Sequence, residues 1–131
     1  GHCELQNLAY SMGVRARHFE GQRKRHPIDI SSHSAVRDSE KCVLCGRCVR
    51  VCDEIEGAHT WDLMHRGLET RVQTDMGIPW GESTTCTSCG KCVQVCPTGA
   101  LFEKGRAVAR GSKTRRPFLP WMKVVAEERG Q

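Results

Sequence analysis

Eight of the nine cysteines in this chain lie in two runs that are close copies of each other. The first run is Cys42-Val-Leu-Cys45-Gly-Arg-Cys48-Val-Arg-Val-Cys52, and 44 positions later the second is Cys86-Thr-Ser-Cys89-Gly-Lys-Cys92-Val-Gln-Val-Cys96. Seven of the eleven positions are identical. The spacing, C-x2-C-x2-C-x3-C, is that of thiolates that hold a cubane [4Fe–4S] cluster. The two runs therefore predict that the protein binds iron–sulfur clusters and transfers electrons.

Zinc and disulfides are the competing uses of these cysteines. Four-cysteine zinc sites usually present two C-x2-C pairs separated by a longer spacer. Here Cys48 follows Cys45 by three residues, which would crowd four ligands of one run round one small ion. A zinc-bound nucleic-acid module stays open as the alternative from another functional class. Cysteines spaced three apart suit a shared metal centre better than disulfides, and no signal peptide opens the sequence, so we expect a reducing cytoplasm.

Composition and charge narrow the choice of partner. The net charge is +5, and basic residues gather near both ends, at Arg15, Arg17, Arg23, Lys24, Arg25, Lys104, Arg106, Arg110, Lys113, Arg115 and Arg116. Only seven residues are aromatic, so the aromatic interleaving of single-strand binders is missing. No window approaches the roughly 18 apolar residues of a membrane span. We expect docking surfaces within a larger assembly and no contact with nucleic acid.

The runs resemble those of bacterial two-cluster ferredoxins, in which the last cysteine of each run ligates the other cluster. The resemblance implies that cluster 1 is bound by Cys42, Cys45, Cys48 and Cys96. It implies that cluster 2 is bound by Cys86, Cys89, Cys92 and Cys52. The Pro97 after Cys96 matches the ferredoxin run, whereas Asp53 follows Cys52. The carboxylates of Asp53, Glu54 and Glu56 should lower the potential of the neighbouring cluster, because reduction adds negative charge.

The predicted elements are short. Apolar spacing predicts a helix over residues 4–12 that stops at Gly13, and residues 15–41 are expected to be mostly loop. A short helix should start near the third cysteine of each run, after Gly46 and Gly90, where close approach of the backbone to sulfur favours glycine. A strand or hairpin is expected at 68–75, a turn and strand at 99–102, and a helix at 120–129.

A wider resemblance appears in the residues around the runs. Four stretches carry it: Cys3–Gly13 at the start, Cys42 to Trp61, Pro79-Trp80-Gly81-Glu82, and Cys86 to Gly105. They resemble the iron–sulfur subunits of NADH-linked oxidoreductases, and most closely the diaphorase iron–sulfur subunit of bidirectional NAD(P)-linked [NiFe] hydrogenases. That family also includes the N-terminal region of the large iron–sulfur subunit of respiratory complex I, and certain formate dehydrogenases.

The resemblance implies a relay between two catalytic partners. Electrons would pass through two [4Fe–4S] clusters between a flavin-bearing NAD(P) diaphorase subunit and the small and large subunits of a [NiFe] hydrogenase. The same relay in a formate dehydrogenase or a complex I-like enzyme is the alternative, and a free ferredoxin is a further one. No group is evidently placed to break a substrate bond, and no dinucleotide fingerprint follows a strand. The sequence therefore predicts no catalytic residue.

The ninth cysteine, Cys3, matches the last ligand of a one-His, three-Cys cluster in that family. This makes Cys3 a candidate ligand of a third [4Fe–4S] cluster whose other ligands would lie upstream, and we expect the chain to be the C-terminal portion of a longer subunit. The fold class is then α+β, a ferredoxin-like domain flanked by an N-terminal helical segment and a C-terminal helix. The expected divisions are a cluster-domain remnant with linker (1–38), the ferredoxin-like domain (39–110) with an inserted segment (53–85), and a basic linker with a helix (111–131).

Overall fold

Short helices and short strands alternate along the chain, in agreement with the predicted α+β class. A computed structural model describes residues 3–21 and 25–105, so the helix predicted at 120–129 lies outside the described residues. Within these two ranges no helix is both long and apolar enough to cross a bilayer. In chain order the α-helices and strands are α1 (Glu4–Ser11), β1 (Ala35–Arg37), α2 (Arg47–Arg50), β2 (Trp61–Met64), β3 (Arg71–Thr74), α3 (Lys91–Val95) and β4 (Leu101–Glu103). Short 3-10 and π-helical turns lie between them at Ser39–Lys41, Val51–Glu56, Gly67–Glu69, Asp75–Gly77 and Trp80–Glu82.

Helix α1 confirms the helix predicted near the start of the chain. Cys3 caps its N-terminus, since the Cys3 sulfur accepts a hydrogen bond from the backbone N–H of Gln6 at 3.3 Å. The helix ends at Ser11 with Met12 as its C-cap, and Gly13 then adopts a positive φ of 72°. The backbone N–H of Glu4 donates to the carbonyl of Pro97 at 2.6 Å. This bond ties α1 to the end of the second cysteine run.

Two antiparallel strand pairs frame the cysteine runs. Strand β2 pairs with β3. Strand β3 confirms the strand expected at 68–75, whereas its partner β2 lies before that stretch. Strand β1 pairs with β4, with Val36 opposite Phe102, and β4 confirms the strand expected after the second run. Strand β1 lies in a stretch predicted to be mostly loop, because three residues with a partner 66 positions away leave no local pattern. This pairing attaches residues 35–37 to the ferredoxin-like part of the chain.

The core is small and contains sulfur. Its buried members are two cysteines, two tryptophans and three aliphatic residues, namely Ala35, Cys52, Trp61, Val72, Trp80, Cys92 and Leu101. The Trp61 and Trp80 rings meet edge to face, with centroids 4.9 Å apart. Aromatic pairs in this geometry are favourable beyond the area that they bury. Both tryptophans are therefore part of the core of the ferredoxin-like domain.

A loop from Asp29 to Ser32 holds the segment that carries Trp80. The backbone N–H of Trp80 donates to Asp29 Oδ2 at 2.9 Å, and the N–H of Gly81 donates to Ser31 Oγ at 2.8 Å. Burial raises the pKa of Asp29, but hydrogen bonds from Ser31 and Trp80 outweigh burial and leave the pKa below its ordinary value. The ionised carboxylate of Asp29 therefore accepts the hydrogen bond from Trp80 and fixes the position of the Trp80 backbone.

We expect Gly81→Ala to destabilise the protein, because a Cβ at this position would lie 2.3 Å from the Ser31 carbonyl oxygen. Overpacking of this kind costs about 1–3 kcal/mol. Thermal unfolding of anaerobically purified protein, followed by circular dichroism, measures the change. Gly21→Ala is the matched control, since a Cβ at Gly21 meets nothing within 4 Å. Equal melting temperatures for the two variants would contradict the steric argument.

Candidate metal centre

The two cysteine runs adopt the same loop conformation. Leu44 and Gly46 have φ values of 55° and 71°, and the equivalent Ser88 and Gly90 have 58° and 73°. The positive φ at Gly46 and Gly90 favours glycine, and these two residues cap α2 and α3. A Cβ at either glycine would meet no protein atom within 4 Å. The positive φ therefore explains why glycine occupies these two positions, whereas steric contact with other protein atoms does not.

The first two cysteines of each run have the same exposure in both runs. Cys45 and Cys89, at the loop tips, are exposed, whereas Cys42 and Cys86 are partly buried. The third cysteines, Cys48 and Cys92, lie on α2 and α3, as predicted.

The fourth cysteines differ, for a reason visible in the sequence. Cys96 has an extended ψ of 115° and ends α3, because a residue that precedes proline is disfavoured in the α conformation. Cys52 precedes Asp53 instead of proline, and the chain continues from α2 as a π-helical turn, Val51–Glu56. That turn ends at Gly57, with φ of 71°. Single π turns are frequent at functional sites.

Each fourth cysteine lies with the first three cysteines of the other run. A first cavity, of about 120 Å³, is lined by Cys42, Cys45, Cys48 and Cys96. A second cavity, of about 450 Å³, is lined by Cys52, Cys86, Cys89 and Cys92. These are the two ligand sets that the ferredoxin resemblance implies. All nine cysteines lie in the described ranges and all are free thiols.

Both cavities have room for a group of several atoms. A single water occupies about 30 Å³ in the liquid, which is less than either volume. Within residues 3–21 and 25–105, no three Cys, His, Asp or Glu side chains converge as they would round a single ion. Four soft sulfur donors round a space of this size fit an iron–sulfur cluster.

Several N–H groups already point at the sulfur atoms. Backbone N–H groups donate to three of them at 3.4 Å: Leu44 to Cys42, Thr60 to Cys52, and Leu101 to Cys96. The indole N–H of Trp80 donates to Cys86 at 3.3 Å. N–H bonds to sulfur are one of the means by which a protein sets a cluster's potential. Thr60 and Trp80 belong to the inserted segment, where no sequence pattern identified them as sulfur donors.

Burial works against ionisation of the thiols at the centre of the site. Burial, followed by the negative charge of neighbouring thiolates, raises the pKa of Cys48 to about 12. Burial likewise raises the pKa of Cys92 to about 11 and that of Cys42 above its ordinary value. Metal ligation requires thiolates, so binding must release the thiol protons, and the positive charge of the metal must stabilise the buried thiolates. These thiols are therefore suited to ligate a tightly bound group that contains metal cations.

Charged side chains beside the second cavity occur in pairs. Glu56 accepts hydrogen bonds from Lys91 and, at 2.7 Å, from Thr87. The hydrogen bond from Lys91 lowers the pKa of Glu56. Asp53 contacts His59 Nδ1 at 2.5 Å. The negative charge expected beside this cluster is thus balanced at Glu56, which weakens the lowering of its potential predicted from the sequence.

Cys3 lies apart from both cavities. It lines a third cavity, together with Thr98, Gly99 and Phe102 among others, and none of the other eight cysteines lines that cavity. Its sulfur caps α1. His2, which directly precedes it in the sequence, lies outside the described residues.

Parts of this chain are similar in sequence to known iron–sulfur domains and oxidoreductase subunits. The family profile described as a 4Fe-4S dicluster domain matches residues 41–100. An NADH-quinone oxidoreductase chain of Streptomyces coelicolor is 38% identical over 82 residues, which cover 61% of this chain and 10% of the relative. The NADP-reducing hydrogenase subunit HndD of Solidesulfovibrio fructosivorans is 38% identical over 103 residues, covering 79% and 17%. The chain thus spans less than a fifth of the length of these relatives.

A solved structure shares the fold. A chain of the NAD+-reducing [NiFe]-hydrogenase in the H2-reduced state superposes with a TM-score of 0.72 at 31% sequence identity. The match covers 82% of this chain and 45% of the other. With four thiols at each of two cavities and the repeated loop geometry, these matches show that residues 41–100 form a ferredoxin-like 4Fe-4S dicluster domain. Over part of their length, the chain is similar to subunits of an NAD+-reducing hydrogenase, an NADP-reducing hydrogenase and an NADH-quinone oxidoreductase.

Proposed function

We propose that this chain relays electrons between a flavin-bearing NAD(P) diaphorase subunit and a [NiFe] hydrogenase module. The observation that carries the proposal is the lining of each cavity by four thiols drawn from both runs. The hydrogenase assignment is supported by the likeness to the NAD+-reducing enzyme and to HndD. The chain acts as a conductor and provides no catalytic residue.

The proposed ligands of cluster 1 are Cys42, Cys45, Cys48 and Cys96, and those of cluster 2 are Cys86, Cys89, Cys92 and Cys52. When bound, each cluster supplies a site that takes up and gives back one electron. The protein supplies thiolates, N–H donors to sulfur, and a wall of tryptophan and aliphatic side chains that excludes water. Crossing of the fourth ligands would make each cluster a link between the two halves of the domain.

The two sites are adjacent, which favours electron hopping between them. Helices α2 and α3 pack together, and the charge of Cys92 contributes to the raised pKa of Cys48. The indole of Trp61 lines both cavities. A single buried side chain therefore belongs to the walls of both sites.

Two alternatives remain tied to specific observations. The similarity to a putative formate dehydrogenase and to NADH-quinone oxidoreductase subunits favours the same relay in another complex. A zinc-bound nucleic-acid module is disfavoured by the size of the cavities and by the family match. A third cluster at Cys3, and the cytoplasmic location, remain predictions from the sequence.

Anaerobically purified chain should contain about eight irons and eight acid-labile sulfides, because two cubanes hold four of each. Chemical analysis of iron, sulfide and zinc on the same sample measures this. About twelve of each would indicate a third cluster, with Cys3 as a candidate ligand. Zinc without sulfide would contradict the electron-transfer proposal.

Crossed ligation predicts which cysteine variants behave alike. Cys45→Ser and Cys96→Ser should each abolish or alter one EPR signal of the reduced protein, the signal of cluster 1. Cys89→Ser and Cys52→Ser should do the same to the other signal. Cys3→Ser, which leaves all eight proposed ligands in place, is the control and should retain both. If Cys96→Ser instead matched Cys89→Ser, each run would hold its own cluster and the crossing would be wrong.

The partner assignment predicts metals in the assembled complex. A complex isolated anaerobically from the native host through an affinity tag on this chain should contain nickel and flavin. Inductively coupled plasma mass spectrometry and flavin fluorescence measure both. Molybdenum in place of nickel would replace the hydrogenase assignment with the formate dehydrogenase alternative. Flavin with neither metal would favour the complex I-like alternative.

A further inference from the structure

Two arginines line the first cavity and carry N–H groups that lack acceptors. Arg37 and Arg71 both belong to its wall, together with the four cysteines. Within the described part of the chain, Arg37 Nε and Nη1 and Arg71 Nε are buried and have no hydrogen-bond partner. A buried donor without an acceptor costs free energy, more so on a charged group. The cavity that these side chains border is where an acceptor would be expected.

Other nitrogens of both guanidinium groups have partners in neighbouring side chains. Arg37 Nη2 lies 3.2 Å from Asp29 Oδ2, and the side chain of Arg37 is 14% exposed. Arg71 Nη1 and Nη2 lie 3.5 Å and 3.3 Å from ring nitrogens of His26 and His65. The guanidinium of Arg37 also lies 5.9 Å from the centroid of the Trp61 ring. The free N–H groups are therefore anchored.

The two guanidinium groups also repel each other. Burial lowers the pKa of Arg37, Asp29 opposes that effect, and the charge of Arg71 lowers the pKa further. Asp29 offsets one of these two charges in the partly buried wall, so a further anion in the cavity would stabilise the pair. A cluster held by four thiolates is such an anion, and its negative charge increases on reduction. Its sulfur atoms would also accept the unpaired N–H bonds.

We propose that Arg37 and Arg71 stabilise the reduced form of cluster 1 and give it a higher reduction potential than cluster 2. This inference rests on the proposed function, since it requires both clusters. The second cavity lacks an equivalent arrangement among the described residues: of its two wall lysines, Lys91 is paired with Glu56 and Lys104 is exposed. The Trp80 N–H at Cys86 is a neutral donor, and hydrogen bonds from charged donors are about twice as strong. An electron entering the domain would therefore rest on cluster 1.

Arg71→Gln tests the proposal without disturbing the Arg37–Asp29 pair. EPR-monitored redox titration of the full chain with both clusters loaded gives the two midpoint potentials, and the signal lost in Cys45→Ser identifies cluster 1. We expect the cluster 1 potential to fall by at least about 59 mV, which corresponds to a tenfold change for a one-electron couple. Cluster 2 should move less. Arg66→Gln is the matched control, because Arg66 is exposed in the same hairpin and lines neither cavity.

The outcomes separate the inference from the function beneath it. A wild-type chain without two cluster signals would overturn the proposed function. Two signals in the wild type, with equal potentials in Arg71→Gln and Arg66→Gln, would overturn the inference alone. If iron analysis shows that Arg71→Gln fails to load cluster 1, Arg71→Lys is titrated against Arg66→Lys. The lysine variant keeps the charge but loses Nε–H, so a smaller fall at cluster 1 is expected, and no shift would overturn the proposal.

Discussion

Burial of thiols between two short helices is the constraint on which this fold depends. Cys48 and Cys92 lie on α2 and α3, where burial raises the pKa of both. A thiolate is stable at a buried position only when positive charge, such as that of a bound metal, lies beside it. The conventional apolar core is correspondingly small: two of its seven buried members are cysteines. Helices of four and five residues suffice because they need only present one thiol each at a fixed angle.

The inserted segment completes what the two runs begin. It supplies Trp61 and Trp80, which meet edge to face over the sulfur-rich core. It also supplies the Thr60 and Trp80 N–H groups that donate to sulfur, and Arg71 in the wall of the first cavity. The thiols determine which kind of group the two cavities can bind, whereas the inserted segment determines how polar the walls of the cavities are. Two nearly identical loops thereby acquire different environments.

Local spacing accounts for most of what the sequence predicted correctly. The cysteine positions, the helices at Cys48 and Cys92, helix α1 and the strands near 71–74 and 101–103 all follow from patterns over short stretches of chain. Strand β1 was missed because its partner is distant in the chain, and the acceptorless N–H groups of Arg37 and Arg71 have no sequence signature. The absence of proline after Cys52 allows the helix to continue, but the sequence does not indicate that it continues as a π turn. The balance of Glu56 by Lys91 likewise depends on a contact across 35 positions.

The pairing of β1 with β4 has a consequence for how the domain relates to other chains. Ala35 lies opposite Glu103, and the backbone N–H of Lys104 donates to the Ser34 carbonyl at 2.8 Å. The polypeptide therefore enters and leaves the dicluster domain at the same edge, side by side. A unit whose two connections are neighbours can be inserted between other domains with little change to its host. This geometry helps to explain how one conducting cassette recurs within proteins that are several times longer.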